Sequence, residues 1–424
     1  MRTILALIAL VLMAGPVASQ ASSPKSGPDM GSMKMAPGMK MGAMAGMSMK
    51  HSQPPCPGGK LACASTVSPL FAPDGSLWLA WSADGRIWVA HSNDLGRTLI
   101  AAVAVNAKRV MLDSGADERP SIVVDGQGRI TVAYAIFKGA KYDGEVFVSR
   151  STDHGAHFST PQPISDVQSS ERFAVLALDR GGQIFAAWLD KPEVAAAKAA
   201  GKDSAALAFA WSKNGGVSFN AARIVDNDTC TCCRISVGFA APGRPVVVFR
   251  NIFGADTRDH AVITWASPSR PGPLRRVSVD DWQIDACPQQ GPDLSIGANG
   301  AYHVVYFTEG KNRQGIFYAR STDGGKSFST PMALGNSAHQ VSRARVLAVA
   351  GAVWLAWKDF DGDKTTIFGM VSHDDGAHWS VPQPLARTGS ASDQPILVSD
   401  GKRPFLSWLA ENEGYRLIPL EVSK

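Results

Sequence analysis

Sulfur is the first chemistry this chain offers. Eight methionines, Met30, Met33, Met35, Met39, Met41, Met44, Met47 and Met49, fall within residues 30–49, and His51 follows them. Thioethers are soft ligands that suit Cu(I) and, by the same reasoning, Ag(I). The Met-x-Met and Met-x-x-Met spacings let a flexible chain gather three sulfurs around one ion. Residues 22–55 otherwise hold mainly Gly, Ala, Lys, Ser and Pro, with no β-branched or aromatic residue to build a core. They are expected to form a disordered tail. An exported disordered segment has no packing reason to keep so many oxidisable side chains. The plainer reading is a linker of biased composition.

Six cysteines follow: Cys56, Cys63, Cys230, Cys232, Cys233 and Cys287. Two readings stay open. An even number permits three disulfides, with Cys56–Cys63 and a bridge from Cys287 to the 230–233 group as candidates. Alternatively Cys230, Cys232, Cys233 and Cys287 form a thiolate metal or redox site. Charged side chains recur in a similar setting, just ahead of apolar runs. They include Glu118, Arg119, Glu171, Arg172, Arg234, Arg343 and Asp393, and another set closes such runs: Asp84, Asp190, Arg250, Glu309, Asp359 and Glu411. Several guanidiniums converging on one pocket would clamp a carboxylate bidentately; the plainer role is pairing with a carboxylate of a neighbouring element. His154, His157, His373 and His378 sit in turns and read as solvated, and His339 is a lone histidine nearer Arg343.

The elements that must position these groups are set by a repeat. Residues 92–99 (SNDLGRTL), 151–158 (STDHGAHF), 212–219 (SKNGGVSF), 321–328 (STDGGKSF) and 372–379 (SHDDGAHW) share Ser-x-(Asp/Asn)-x-Gly-x-x-(aromatic or Leu). Asp94, Asp153, Asn214, Asp323 and Asp374 are placed to bond the backbone of their own turns. The glycine supplies a conformation that a Cβ hinders. The interval from 212 to 321 is nearly double the others, and residues 265–270 (WASPSR) read as a decayed copy there. Between the turns, seven apolar segments end in an aromatic: 76–81, 129–134, 183–188, 245–249, 301–306, 352–357 and 403–408. Their β-branched and aromatic content predicts buried strands. Seven units of about four strands predict an all-β chain folded as a β-propeller of antiparallel blades, with six blades as the alternative and a sandwich or solenoid as the competing architectures. The last unit stops after its third strand, so a segment before Ala64 is expected to supply the missing one.

The repeats resemble those of Asp-box (BNR-repeat) sialidase-like propellers, over about residues 64–424. The resemblance implies that the boxes lie on the face opposite the active site, so that the cysteines and arginines ahead of the innermost strands gather at the channel mouth. It does not by itself imply an activity, because such propellers include sialidases, other glycosidases, binding proteins and assembly factors. Sialidases hold a substrate carboxylate with three arginines and use an Asp acid/base and a Tyr nucleophile paired with Glu. Carried onto this chain, the candidates are Arg119, Arg172, Arg234 and Arg343 with Glu309. The Phe/Tyr-Arg-Ile-Pro motif of that family is absent; Glu118, Arg119 and Pro120 echo it in part. No tyrosine is assignable as nucleophile, and Tyr306 occupies a packing position. The Met-rich tail looks like the Met-rich segments of periplasmic copper-handling proteins. The Cys-x-Cys-Cys run and the later Ala-Cys-Pro resemble an exported, Cys-rich subgroup of the same propellers.

Composition narrows the classes. The net charge of +5 comes without a basic stripe interleaved with aromatics, which argues against nucleic acid as a partner. The start, MRTILALIALVLM, is basic and then apolar over a run too short to span a bilayer comfortably, and small residues follow at 18–21. This predicts a signal peptide over 1–21, a tail over 22–55 and a propeller over 56–424, with an uncleaved anchor as the alternative. No later membrane span is expected, and the mature protein is placed in the periplasm or secreted, where disulfides persist. The expected function is a non-catalytic binding protein with a copper-capturing tail and a Cys-rich mouth that takes a metal ion, a small ligand or a glycan. The alternatives are a sialidase-type glycoside hydrolase and a propeller that binds a protein partner or serves assembly.

Overall fold

The computed structural model describes residues 56–139, 143–166, 170–191, 204–284, 286 and 288–421. Seven antiparallel sheets follow one another along the chain as the blades of a β-propeller. Their innermost strands are Val67–Phe71, Ser121–Val124, Glu171–Leu178, Ser236–Ala241, Asp293–Ile296, Gln340–Val349 and Ile396–Ser399. Each pairs with a second strand, and the aromatic expected there is buried in every blade: Trp81, Tyr134, Trp188, Phe249, Tyr306, Trp357 and Trp408. The core runs as apolar clusters between adjacent blades, which accounts for the near-continuous apolar character of the second strands. Among the described residues no helix is long and apolar enough to cross a membrane.

The seventh blade departs from expectation. Among the described residues it pairs three strands, Ile396–Ser399, Pro404–Ala410 and Gly414–Pro419, and residues 56–63 add none. That segment forms two 3-10 turns, Pro57–Gly59 and Leu61–Cys63, closed by a Cys56–Cys63 disulfide. Gly58 and Gly59 take φ of 70° and 59°, which no strand uses, and a bridge across so short a loop keeps it bent. The loop packs instead on blades 1 and 7. Trp81 Nε1 donates to the Gly59 carbonyl at 3.1 Å, and Leu61 and Ala64 share a cluster with Tyr415 and Leu417.

Candidate functional site

The repeated turns all join third to fourth strands, and each is built alike. The first serine Oγ donates to the Asp or Asn side chain at 2.7–2.9 Å and accepts from the glycine N–H. The same carboxylate or amide accepts from the N–H four residues on, as from His157 at 3.0 Å and His378 at 2.8 Å. His157 and His378 also bond the turn carboxylate through Nδ1, and His339 bonds Asp359 at 2.7 Å, so these histidines are spoken for. In the missing copy a tight turn between His260–Ser267 and Arg270–Pro271 takes the same place. On this end of the channel a 460 Å³ cavity is walled largely by apolar strand ends, among them Leu70, Phe71, Ile122, Val124, Leu176 and Leu178.

The other end is closed by polar contacts across the axis. Asp117, ahead of the innermost strand of blade 2, has a side chain only 3% exposed. Its Oδ1 accepts from Nη1 of Arg234 and of Arg343, each at 2.8 Å, and its Oδ2 accepts from the Gly291 N–H at 2.9 Å. Those partners lead into blades 4, 6 and 5. Arg234 also donates to the Pro292 carbonyl at 3.1 Å and to Gln394 of blade 7 at 3.4 Å, while Gln394 Nε2 donates back to the Ala116 carbonyl. Burial opposes ionisation of Asp117, but the Arg234 and Arg343 guanidiniums outweigh it and hold the carboxyl below its usual range. Arg343 itself sits at φ 59°, where the innermost strand of blade 6 slips register, a strained position that the contacts around it sustain.

The remaining candidates are similarly engaged. Arg119 pairs bidentately with Asp393 and donates to the Val67 carbonyl at 2.8 Å. Arg172 pairs with Asp113 and lies over the Phe173 ring at 4.8 Å. Burial, with the Asp113 charge adding, pushes Glu118 well above the carboxylate range, and its Oε2 accepts from the Phe173 N–H at 2.6 Å. Glu309 is exposed at the end of its strand, Tyr302–Glu309. Tyr306 is 1% exposed, its ring 5.0 Å from that of the buried His260, and burial raises its hydroxyl above the ordinary tyrosine value. Four candidate arginines are thus brought to one end, with their forks directed at carboxylates of the fold itself.

Sulfur gathers beside this closure. Cys230 ends the strand Arg223–Cys230, and Cys232 and Cys233 follow in the turn into blade 4. One sulfur from each lies within 4.8 Å of the others, with Cys230 Sγ 3.8 Å from Cys233 and 4.0 Å from Cys232. All three are buried among Phe249, Ile235 and Val247. Cys230 and Cys233 are free thiols, whereas Cys232 is disulfide-bonded. Arg258 Nη1 donates to Cys230 Sγ at 3.5 Å. The Cys233 thiol, with Arg250 and Arg258 adding, brings Cys230 down to about 6 against the cost of burial, and burial pushes Cys233 well above the usual thiol value. Cys287, the Met-rich tail, His51 and the leader lie outside the described residues.

Sequence reasoning missed Asp117 and Arg258. Asp117 precedes the Glu118–Arg119 pair that drew notice, and its partners are more than a hundred residues away. Arg258 lies between strands 244–250 and 260–267, where no spacing marks it.

Comparison with known proteins agrees with the architecture. A family model for the D2 catalytic domain of alpha-1,3-glucanase matches residues 189–271, a minority of the chain. No curated protein matches. Among solved structures, a polysaccharide lyase of family PL25, an ulvan lyase, aligns with TM-score 0.55 at 11% identity, covering 85% of this chain and 94% of its own. A protein of unknown function from Dyadobacter fermentans aligns with TM-score 0.50 at 14% identity, covering 73% and 95%. The intramolecular trans-sialidase of Ruminococcus gnavus aligns with TM-score 0.47 at 11% identity, covering 70% and 90%. At 11% identity the lyase alignment speaks for the fold of this chain alone.

Proposed function

We propose that this chain is an exported Asp-box propeller that captures a soft metal ion, Cu(I) foremost, with the methionine tail collecting it and the free thiols of Cys230 and Cys233 holding it. The observation that carries this reading is the convergence of three cysteine sulfurs at the mouth, two of them free thiols. Soft thiolate and thioether donors favour Cu(I) over hard cations. The tail enters on its sequence, and the leader on its basic-then-apolar pattern. Anaerobic Cu(I) titration of the mature full chain tests it. Replacing the eight tail methionines by Leu is expected to reduce the number of ions bound, and Cys230→Ser with Cys233→Ser to remove the tightest one. Identical isotherms for all three proteins would sink the reading.

The second reading is a carbohydrate-active propeller, and the fold shared with lyases and sialidases favours it. A sialidase clamp needs guanidiniums that turn to a substrate carboxylate, whereas Arg119, Arg234 and Arg343 already pair with Asp393 and Asp117. No turnover of a fluorogenic sialoside is expected from wild type. Turnover lost on Arg343→Lys would favour this second reading over the first.

A further inference from the structure

The thiol pair sits in an unusual charge environment for a metal site. Arg258 is 4% exposed and reaches Cys230 Sγ at 3.5 Å while its Nη1 also donates to the Ala286 carbonyl at 3.1 Å. One partly exposed carboxylate, Asp256, shares it at 3.4 Å. Arg250 is buried behind it. Its guanidinium donates to the carbonyls of Arg258, Gln290 and Phe307 at 2.9–3.0 Å and lies over the Trp282 ring at 4.5 Å. Neutral carbonyls hold Arg250 in place without cancelling its charge. Asp117, the nearby carboxylate, is itself matched by two arginines.

Donor number points the same way. Among the described residues the group holds three side chains, Cys230, Cys232 and Cys233, and the Cys232 sulfur is committed to a disulfide. Two thiols remain, and a bound soft ion displaces their protons. Two thiolates around a monovalent ion carry one net negative charge, which a fixed guanidinium at 3.5 Å offsets. Around a divalent ion they carry none, so the arginines gain nothing, and Zn(II) lacks the four donors its structural sites take. Resting on the metal-capture reading, we infer that Arg258, backed by Arg250, makes the Cys230–Cys233 pair a two-sulfur site selective for monovalent soft ions over divalent ones.

The test uses the mature full chain with Leu at the eight tail methionines, so that only the mouth reports. It is titrated with Ag(I) and with Zn(II), and the sulfur neighbours of the bound ion are counted by X-ray absorption. Expected are one Ag(I) with two sulfur neighbours, held about a hundredfold more tightly than Zn(II). Arg258→Gln is expected to loosen Ag(I) about tenfold and to leave Zn(II) unchanged. Equal retention of Zn(II), or three or four sulfur neighbours, overturns this selectivity while metal capture stands. No ion retained at the mouth overturns the capture reading itself. Should Arg258→Gln fail to fold, the sulfur count and the Ag(I)-to-Zn(II) ratio of the unaltered mouth decide alone.

Discussion

Asp117 shows how much one side chain can hold at the axis of a propeller. Its carboxylate is shared by Arg234 and Arg343 and accepts from Gly291, so Asp117→Ala takes from two buried guanidiniums the carboxylate they share. Removing one member of a buried pair costs about 3–5 kcal/mol, and denaturant melts of Asp117→Ala should show a loss of that size. A loss under 1 kcal/mol would mean that water already screens this end. Glu171 offers a test by pH. Burial, with Asp190 and Glu145 adding, pushes its carboxyl up to about 7, above the unfolded value near 4.5. Between those values the unfolded chain releases a proton that the folded chain keeps, so stability falls as pH rises from about 4.5 to 7 and then levels, by up to about 3 kcal/mol. Thermal melts of Glu171→Gln across that range should lack this decline. The limit of sequence reading is plain at this scale. Glu118 and Arg119 stood out, with Pro120, as a partial echo of a sialidase motif, yet Asp117 beside them does the bridging. Charge pairing between loops of blades 2, 4 and 6 leaves no local spacing to read. The cysteines were legible because three of them are near neighbours in sequence, whereas Arg258 reaches them only through the fold.

At the scale of elements, the repeated turn is a spacer cut to fit the blade before it. Its glycine presses on that blade: a Cβ on Gly155 would stand 2.8 Å from Trp78, and one on Gly376 would stand 1.9 Å from Tyr318 Oη. Tyr318 in turn bonds buried His303 Nδ1 at 2.8 Å, so the turn of blade 6 seals a polar pair in blade 5. This is why the motif was readable: the same local bonds and the same glycine recur in five of the seven blades. Gly351 separates backbone strain from contact, since it has φ of 80° but nothing within 4 Å of an added Cβ. Gly351→Ala is therefore expected to cost roughly 1 kcal/mol, and Gly376→Ala about 2 kcal/mol more, through the displaced tyrosine. Paired chemical melts of the two variants decide it; equal losses would show that conformation alone demands the glycine.

For the whole molecule the open question is how a ring with a three-stranded last blade stays shut. The period of the repeats favoured seven blades over six, but the described residues before Ala64 do not form the expected strand, because Pro57, Gly58 and Gly59 bend the chain there. Closure rests on two other devices. Asp393 of blade 7 accepts from the Val67 N–H of blade 1 at 3.0 Å and pairs with Arg119 of blade 2, tying the seam at the axis. At the rim, the loop closed by Cys56 and Cys63 lies against Tyr415 and Leu417, covering the outermost strand of blade 7, which would otherwise present an open edge. A disulfide spanning so short a loop restricts the unfolded chain by roughly 2–3 kcal/mol, so Cys56→Ser with Cys63→Ser should lower stability by about that amount. The location matters more than the size. If the loop guards the seam, hydrogen exchange in the double variant should quicken first in Gly414–Pro419, while the strands of blades 3 to 5 keep their protection. A uniform loss across all blades would instead mean that the bridge acts on the unfolded chain alone, and that Asp393 and Arg119 close the ring unaided.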